Sequence, residues 1–200
     1  MTLRRIVLVA LIGIAVLAYW AWSRNTTPPP APMPSGAAAP SSDTPRVVVE
    51  SGGDPGVAWD VPGRWGHAEG NPMRLATYSV AAAHGDATGA ECGVYYFGPG
   101  QGGDVQTNID RWIGEFVDPS KQDRVSRTVD GMPVSTVRVR GTHLAHAGMG
   151  DDKARAHYEL YAAIVEGPQG SLFFKLLGPE HTVDAAASEF DRLVGSLKKK

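Results

Sequence analysis

Apolar side chains recur through this chain with two periods, and where the period changes the elements change with it. From Val105 the apolar residues Val105, Ile109, Trp112, Ile113, Phe116 and Val117 follow helical spacing, with Gln106, Asp110, Arg111 and Glu115 opposite. This predicts an amphipathic helix from about Asp104, stopped at Asp118-Pro119 because the residue before proline disfavours helical angles. Ahead of it, Glu91 to Phe97 reads as a strand, and Gly98-Pro99-Gly100-Gln101-Gly102-Gly103 as a tight loop. Further period-two or continuous apolar runs predict strands at Val57-Ala58-Trp59, Arg74 to Ala83, Arg124 to Val129, Met132 to Thr142, His157 to Val165 and Ser171 to Gly178.

Asp130-Gly131 and Gly167-Pro168-Gln169-Gly170 mark two hairpins. The first has a conflict of register. A strict two-residue turn puts Val125 and Val129 on the side of Arg138 and Arg140, while Val137 and Val139 look like the core-facing set. A longer turn or a bulge near Pro133 is expected to resolve it, leaving Arg138 and Arg140 as a solvated basic strip. In the second hairpin, Leu172 to Leu177 is apolar enough to be covered on both faces. The chain closes with a helix capped near Thr182 or Asp184, with Ala186, Ala187, Phe190, Leu193, Val194 and Leu197 on one side and Lys198 to Lys200 at its negative end. Strands joined mostly by hairpins, with two long helices, give an α+β class: a mostly antiparallel sheet with packed helices.

The N-terminus has a different pattern. Arg4 and Arg5 precede an uncharged run, Ile6 to Trp22, which at about 1.5 Å per residue spans roughly 25 Å, near the lower limit for crossing a bilayer. Tyr19, Trp20 and Trp22 suit the far interface, and the arginine bias favours a cytoplasmic N-terminus and an exported remainder. A cleaved signal peptide is the rival reading, but cleavage at Ala21 would put bulky Tyr19 where a small residue is wanted. The expected organisation is a signal anchor over residues 1–23, a Pro/Ala/Ser-rich linker over 24–46 and one globular domain over 47–200. The expected location is the cytoplasmic membrane, single-pass through residues 6–22, with the domain outside the cytoplasm.

From Arg46 to Lys200 the chain has 16 basic and 20 acidic side chains, a balance that argues against nucleic acid as a partner. Cys92, the one cysteine, alternates with Val94 and Tyr96 and reads as a buried, inert thiol.

The order of motifs resembles a known superfamily. Trp59-x-Val61-Pro62-x-x-Trp65, Arg74-x-Ala76-x-Tyr78, the strand before an Asn108-x-x-x-Trp112 helix, and the closing hairpin and helix look like the PsbP-like α/β/α sandwich superfamily. Tyr95-Tyr96-Phe97-Gly98, Gly100-Gln101-Gly102-Gly103, Asn108-Ile109-x-Arg111-Trp112 and Phe174-Lys175-x-x-Gly178-Pro179 resemble an exported bacterial group of uncharacterised function within it. The resemblance implies a sandwich fold and a binding or assembly role. Its understood members include extrinsic subunits of photosystem II and a Ran-binding nuclear transport factor. It brings no catalytic residues and no cofactor.

Candidate chemistry is sparse. Gly98, Gly100 and Gly103 spell G-x-G-x-x-G between a strand and a helix, which invites a dinucleotide reading. Against it stand the hairpin that follows in place of a crossover, the position of Asp123 before a strand, and Asp104, whose carboxylate would occupy the helix N-terminus. Gly98, Gly100, Gln101, Gly103 and Arg111 remain candidate ligand contacts. His143 and His146 before Asp151 and Asp152 could gather imidazole and carboxylate around a metal. No nucleophile elbow, phosphate loop or paired carboxylates accompany them, so no enzymatic activity is expected. Two functions follow: a membrane-anchored, extracytoplasmic interaction module with a protein partner in or at the membrane, or a small-ligand or metal-binding domain.

Overall fold

The computed structural model describes residues 53–69, 71–83, 85–144 and 154–200. The expected anchor and linker lie outside the described residues. Among the described residues, no helix is long and apolar enough to cross a membrane.

Strands β1 (Val57–Ala58), β2 (Gly66–His67), β3 (Ala76–Val80) and β4 (Ala90–Tyr96) lead to helix α1 (Val105–Ile113). Two hairpins follow, β5 (Phe116–Val129) with β6 (Met132–His143) and β7 (Arg155–Gly167) with β8 (Gly170–Pro179), then helix α2 (Glu180–Gly195) and β9 (Lys198–Lys199). The main sheet runs β2-β3-β4-β8-β7-β6-β5, antiparallel at every pairing, and β1 pairs with β9 apart from it. One helix lies against each face, the α/β/α layering that the resemblance implies.

Alternation sorts the side chains between the two layers. Cys92, Val94, Tyr96, Leu172, Phe174 and Leu176 point to α2 and meet Val183, Phe190, Leu193 and Val194. Val137, Val139, Leu160, Ala162, Ile164 and Phe173 point to α1 and meet Ile109 and Trp112. Strands β7 and β8 are buried on both faces, which is why their sequences are continuously apolar.

Both helices differ from their expected limits. α1 stops at Ile113, where Gly114 caps it, and Phe116-Val117 begin β5. Phe116 still packs beside Trp112, so an apolar residue at helical spacing reaches the same cluster from a strand. α2 begins at Glu180 with Pro179 as N-cap and no side-chain cap. Thr182 is instead buried and bonded to Asp86, its N–H at 2.9 Å and its hydroxyl at 2.7 Å. Lys198 and Lys199 form β9.

The first hairpin keeps the strict two-residue turn. Asp130 and Gly131 have φ of 47° and 70°, both positive as a type I′ turn requires, and pairing is unbroken from Val129–Met132 to Lys121–Arg140. The irregularity falls between Val117 and Lys121 and not near Pro133. The apparent conflict dissolves because β6 is covered on both faces: Val137 and Val139 face α1, while Arg138 and Arg140 face α2. These arginines are not a solvated strip. Arg138 Nε donates at 2.6 Å, and Arg140 Nε at 2.7 Å, to Glu159, whose side chain has no exposed surface. Both also reach Asp184 of α2, and Arg138 lies 4.9 Å from the Tyr161 ring centroid. An ion cluster thus ties α2 to the sheet.

Candidate functional site

The α1 side of the sheet gathers the candidate residues. Asp104 caps α1, its carboxylate accepting from the Thr107 N–H at 2.9 Å and the Thr107 hydroxyl at 2.6 Å. The Gly98–Gly103 loop in front of it turns through residues of positive φ: Gly98 at 99°, Gly100 at 69°, Gly102 at 91° and Gly103 at 77°. Only glycine takes such angles without strain. Buried Asn108 locks the loop down, donating from Nδ2 to the Gly102 carbonyl at 2.7 Å and the Asp104 carbonyl at 2.9 Å. At Gly102 an added Cβ would come within 2.7 Å of the Phe173 ring. The G-x-G-x-x-G spacing here serves a tight turn and a close approach to the sheet. No parallel crossover follows it, so the topology of a dinucleotide fold is absent among the described strands.

Of the other candidate ligand contacts, Gln101 is exposed and its N–H bonds the Gly98 carbonyl at 3.2 Å. Arg111 is exposed and donates to Asn108 Oδ1 at 2.7 Å. Loop and guanidinium are therefore joined through Asn108.

Beneath α1 lies a polar cluster that sequence reasoning missed. Lys175 of β8 sits among apolar neighbours, with Nζ 3.2 Å from Glu115 Oε2 and 5.2 Å from the Trp112 ring centroid. Burial pushes the Lys175 pKa below the ordinary lysine value, with the Arg111 and Arg74 charges acting in the same direction and Glu115 opposing. The signal was a lysine inside the doubly buried run Leu172 to Leu177, which had to find a carboxylate.

His143, the one predicted metal ligand among the described residues, joins this cluster. Its Nε2 is 3.7 Å from Glu115 Oε2, and its ring contacts Phe116 and Tyr158. Nδ1 is buried without a hydrogen-bond partner. His146, Asp151 and Asp152 lie outside the described residues. Among the described residues no three His, Cys, Asp or Glu side chains come together as a metal set.

Towards β3 and β4 this face has no described helix over it. Ser79, Glu91 and Phe97 are exposed and Tyr95 is half-buried. The Tyr95 ring lies over Gly93, where an added Cβ would be 3.0 Å from it. Tyr95 stacks on Phe97 with centroids 6.4 Å apart, and Phe97 reaches Phe173 at 5.8 Å. The Arg74 guanidinium stands 5.5 Å from the Tyr95 centroid and pairs with Glu91. Phe97 leaves 43% of its surface to solvent. Around the exposed edge of the same strands, Arg64, Gly66, Ser79, Ala82, Gly89 and Glu91 line a shallow groove of about 460 Å³.

No family model matches this chain, and no curated protein matches it. Solved structures similar to it include these two. The solution structure of cyanobacterial PsbP (CyanoP) from Synechocystis sp. PCC 6803 is 13% identical, over 75% of this chain and 90% of that one, with a TM-score of 0.46. The crystal structure of PA94, a protein of unknown function from Pseudomonas aeruginosa, is 9% identical, over 67% of this chain and 96% of that one, with a TM-score of 0.44.

Proposed function

We propose that the chain is a non-catalytic interaction module, anchored in the cytoplasmic membrane by residues 6–22, that presents the open half of its α1-side sheet face to a protein partner. The observation that carries this reading is the aromatic ledge of Tyr95 and Phe97 beside Arg74, left uncovered where β6, β7 and β8 of the same face lie under α1. Aromatic residues and arginine on an exposed face are the residue types that anchor protein interfaces. The groups capable of chemistry are engaged elsewhere: Glu159 between two arginines, Lys175 against Glu115, and Cys92 with no exposed surface. Recovery of a partner from membrane extract by the full chain, lost with Phe97→Ala and Arg74→Glu and kept with Ser188→Ala on the far face, would support the reading. Equal recovery by all three would refute it.

A second reading rests on the buried, unpartnered Nδ1 of His143. That atom favours a small cation, with His146, Asp151 or Asp152 completing the set. Calorimetry with zinc, copper and manganese, repeated with His143→Ala and His146→Ala, tests it. Unchanged heats would end this reading.

A further inference from the structure

β5 is the outermost strand of the main sheet, and residues 122–128 of it are all exposed, on both faces. Val125 leaves 57% of its surface to solvent. The residue pair that closes a two-residue hairpin exchanges both of its hydrogen bonds, and bonded and non-bonded pairs then alternate. Val129–Met132 is that pair, so Arg127, Val125 and Asp123 also bond inward to β6. The backbone groups of Thr128, Ser126, Arg124 and Gln122 point outward, a row open to another strand.

Edges are usually blunted by proline, irregularity or repelling charge. The first half of β5 has Pro119 and the register break between Val117 and Lys121. The second half has neither, and its charges are self-complementary. In an antiparallel pairing centred on Val125, Val125 meets Val125 of a second copy, Asp123 meets Arg127, Arg127 meets Asp123, Arg124 meets Ser126 and Gln122 meets Thr128. The last two pairs are those whose backbone groups point outward. Moving the centre to Arg124 sets arginine against arginine, and moving it to Ser126 leaves Asp123 opposite Val129.

We propose that two copies of this chain join through residues 122–128 of β5 about a two-fold axis at Val125, extending one antiparallel sheet through both. Such an interface is isologous and closes on itself. The charge pairs fix its register, and the apolar contact lies on the axis.

The test uses the full chain in its membrane. Across a non-bonded antiparallel pair the Cα atoms are about 4.5 Å apart, within the span of a disulfide. Val125→Cys should form a covalent homodimer on mild oxidation, and Ser188→Cys, exposed on α2, should not. Buried Cys92 supplies no competing thiol. Adding Asp123→Arg should abolish the dimer, and adding Arg127→Asp to that should restore it, so that loss of folding is distinguished from loss of pairing. Ser126→Pro, which removes an outward N–H, should also abolish it. A Val125→Cys chain that stays monomeric, crosslinks to a different protein, or dimerises as well with Asp123→Arg would overturn the proposal.

Discussion

Arg140 and Glu159 face each other across β6 and β7, the Arg140 Nε donating at 2.7 Å to a carboxylate with no exposed surface. Arg138 binds the other oxygen. Burial pushes the Glu159 pKa up and the arginines pull it down. Removing one member of a buried ion cluster leaves the rest uncompensated. Glu159→Ala is expected to cost about 3–5 kcal/mol, read as a lower urea midpoint, and more than either arginine replaced by methionine.

Glu189 gives a pH-dependent test. Hydrogen bonds from Arg64, 2.8 Å, and Trp65 Nε1, 3.1 Å, hold its pKa below the ordinary glutamate value. A carboxyl whose folded pKa is depressed adds stability above its unfolded pKa and loses it as pH falls through the folded one. Glu189→Gln should therefore be less stable than the parent at about pH 7, and the difference should shrink progressively as pH falls below the unfolded glutamate value and through the folded one. Asp184, also depressed, is common to both proteins and cancels. Glu189→Ala should cost about 1–3 kcal/mol more, because Trp65 loses its acceptor. Urea titrations over a series of pH values from neutral into the acid range measure both.

The strands were legible because alternation and turn residues are local signals. Asp130-Gly131 and Gly167 to Gly170 marked both hairpins correctly, and the G-x-G-x-x-G loop was read as a turn into an antiparallel fold. What could not be read locally was which strands would be covered twice. Taking one face of β6 as solvated sent Arg138 and Arg140 to the surface, and only the position of α2 over that face shows them to be half-buried partners of the buried Glu159. Phe116 was assigned to the helix because helical spacing and a following strand both bring it to Trp112. Of the candidate site, Gly98 to Gly103 and Arg111 were identifiable as neighbours, and the structure joins them through Asn108. The Lys175–Glu115–His143 cluster depends on contacts between β8, the end of α1 and β6, distant in sequence.

Asn108 should prove the clamp of the glycine loop. Asn108→Ala leaves the Gly102 carbonyl and Arg111 without their partner. The expected loss is about 1–3 kcal/mol, with faster hydrogen exchange at Gln101 and little change in β7. Uniform acceleration across the sheet would contradict this role.

Cys92 should be inert. Burial pushes its thiol pKa far up and leaves it no exposed surface, so a thiol reagent should label the native chain only at the rate of unfolding. Rapid labelling in native buffer would mean that the packing between β4 and α2 is misplaced.

Docking of a partner on the ledge beside α1 can be read out by a photo-crosslinking side chain in place of Phe97, activated in intact cells. One discrete adduct with a second protein is expected, absent when the probe replaces Ser188. No adduct at Phe97, or the same adducts from both positions, would contradict it.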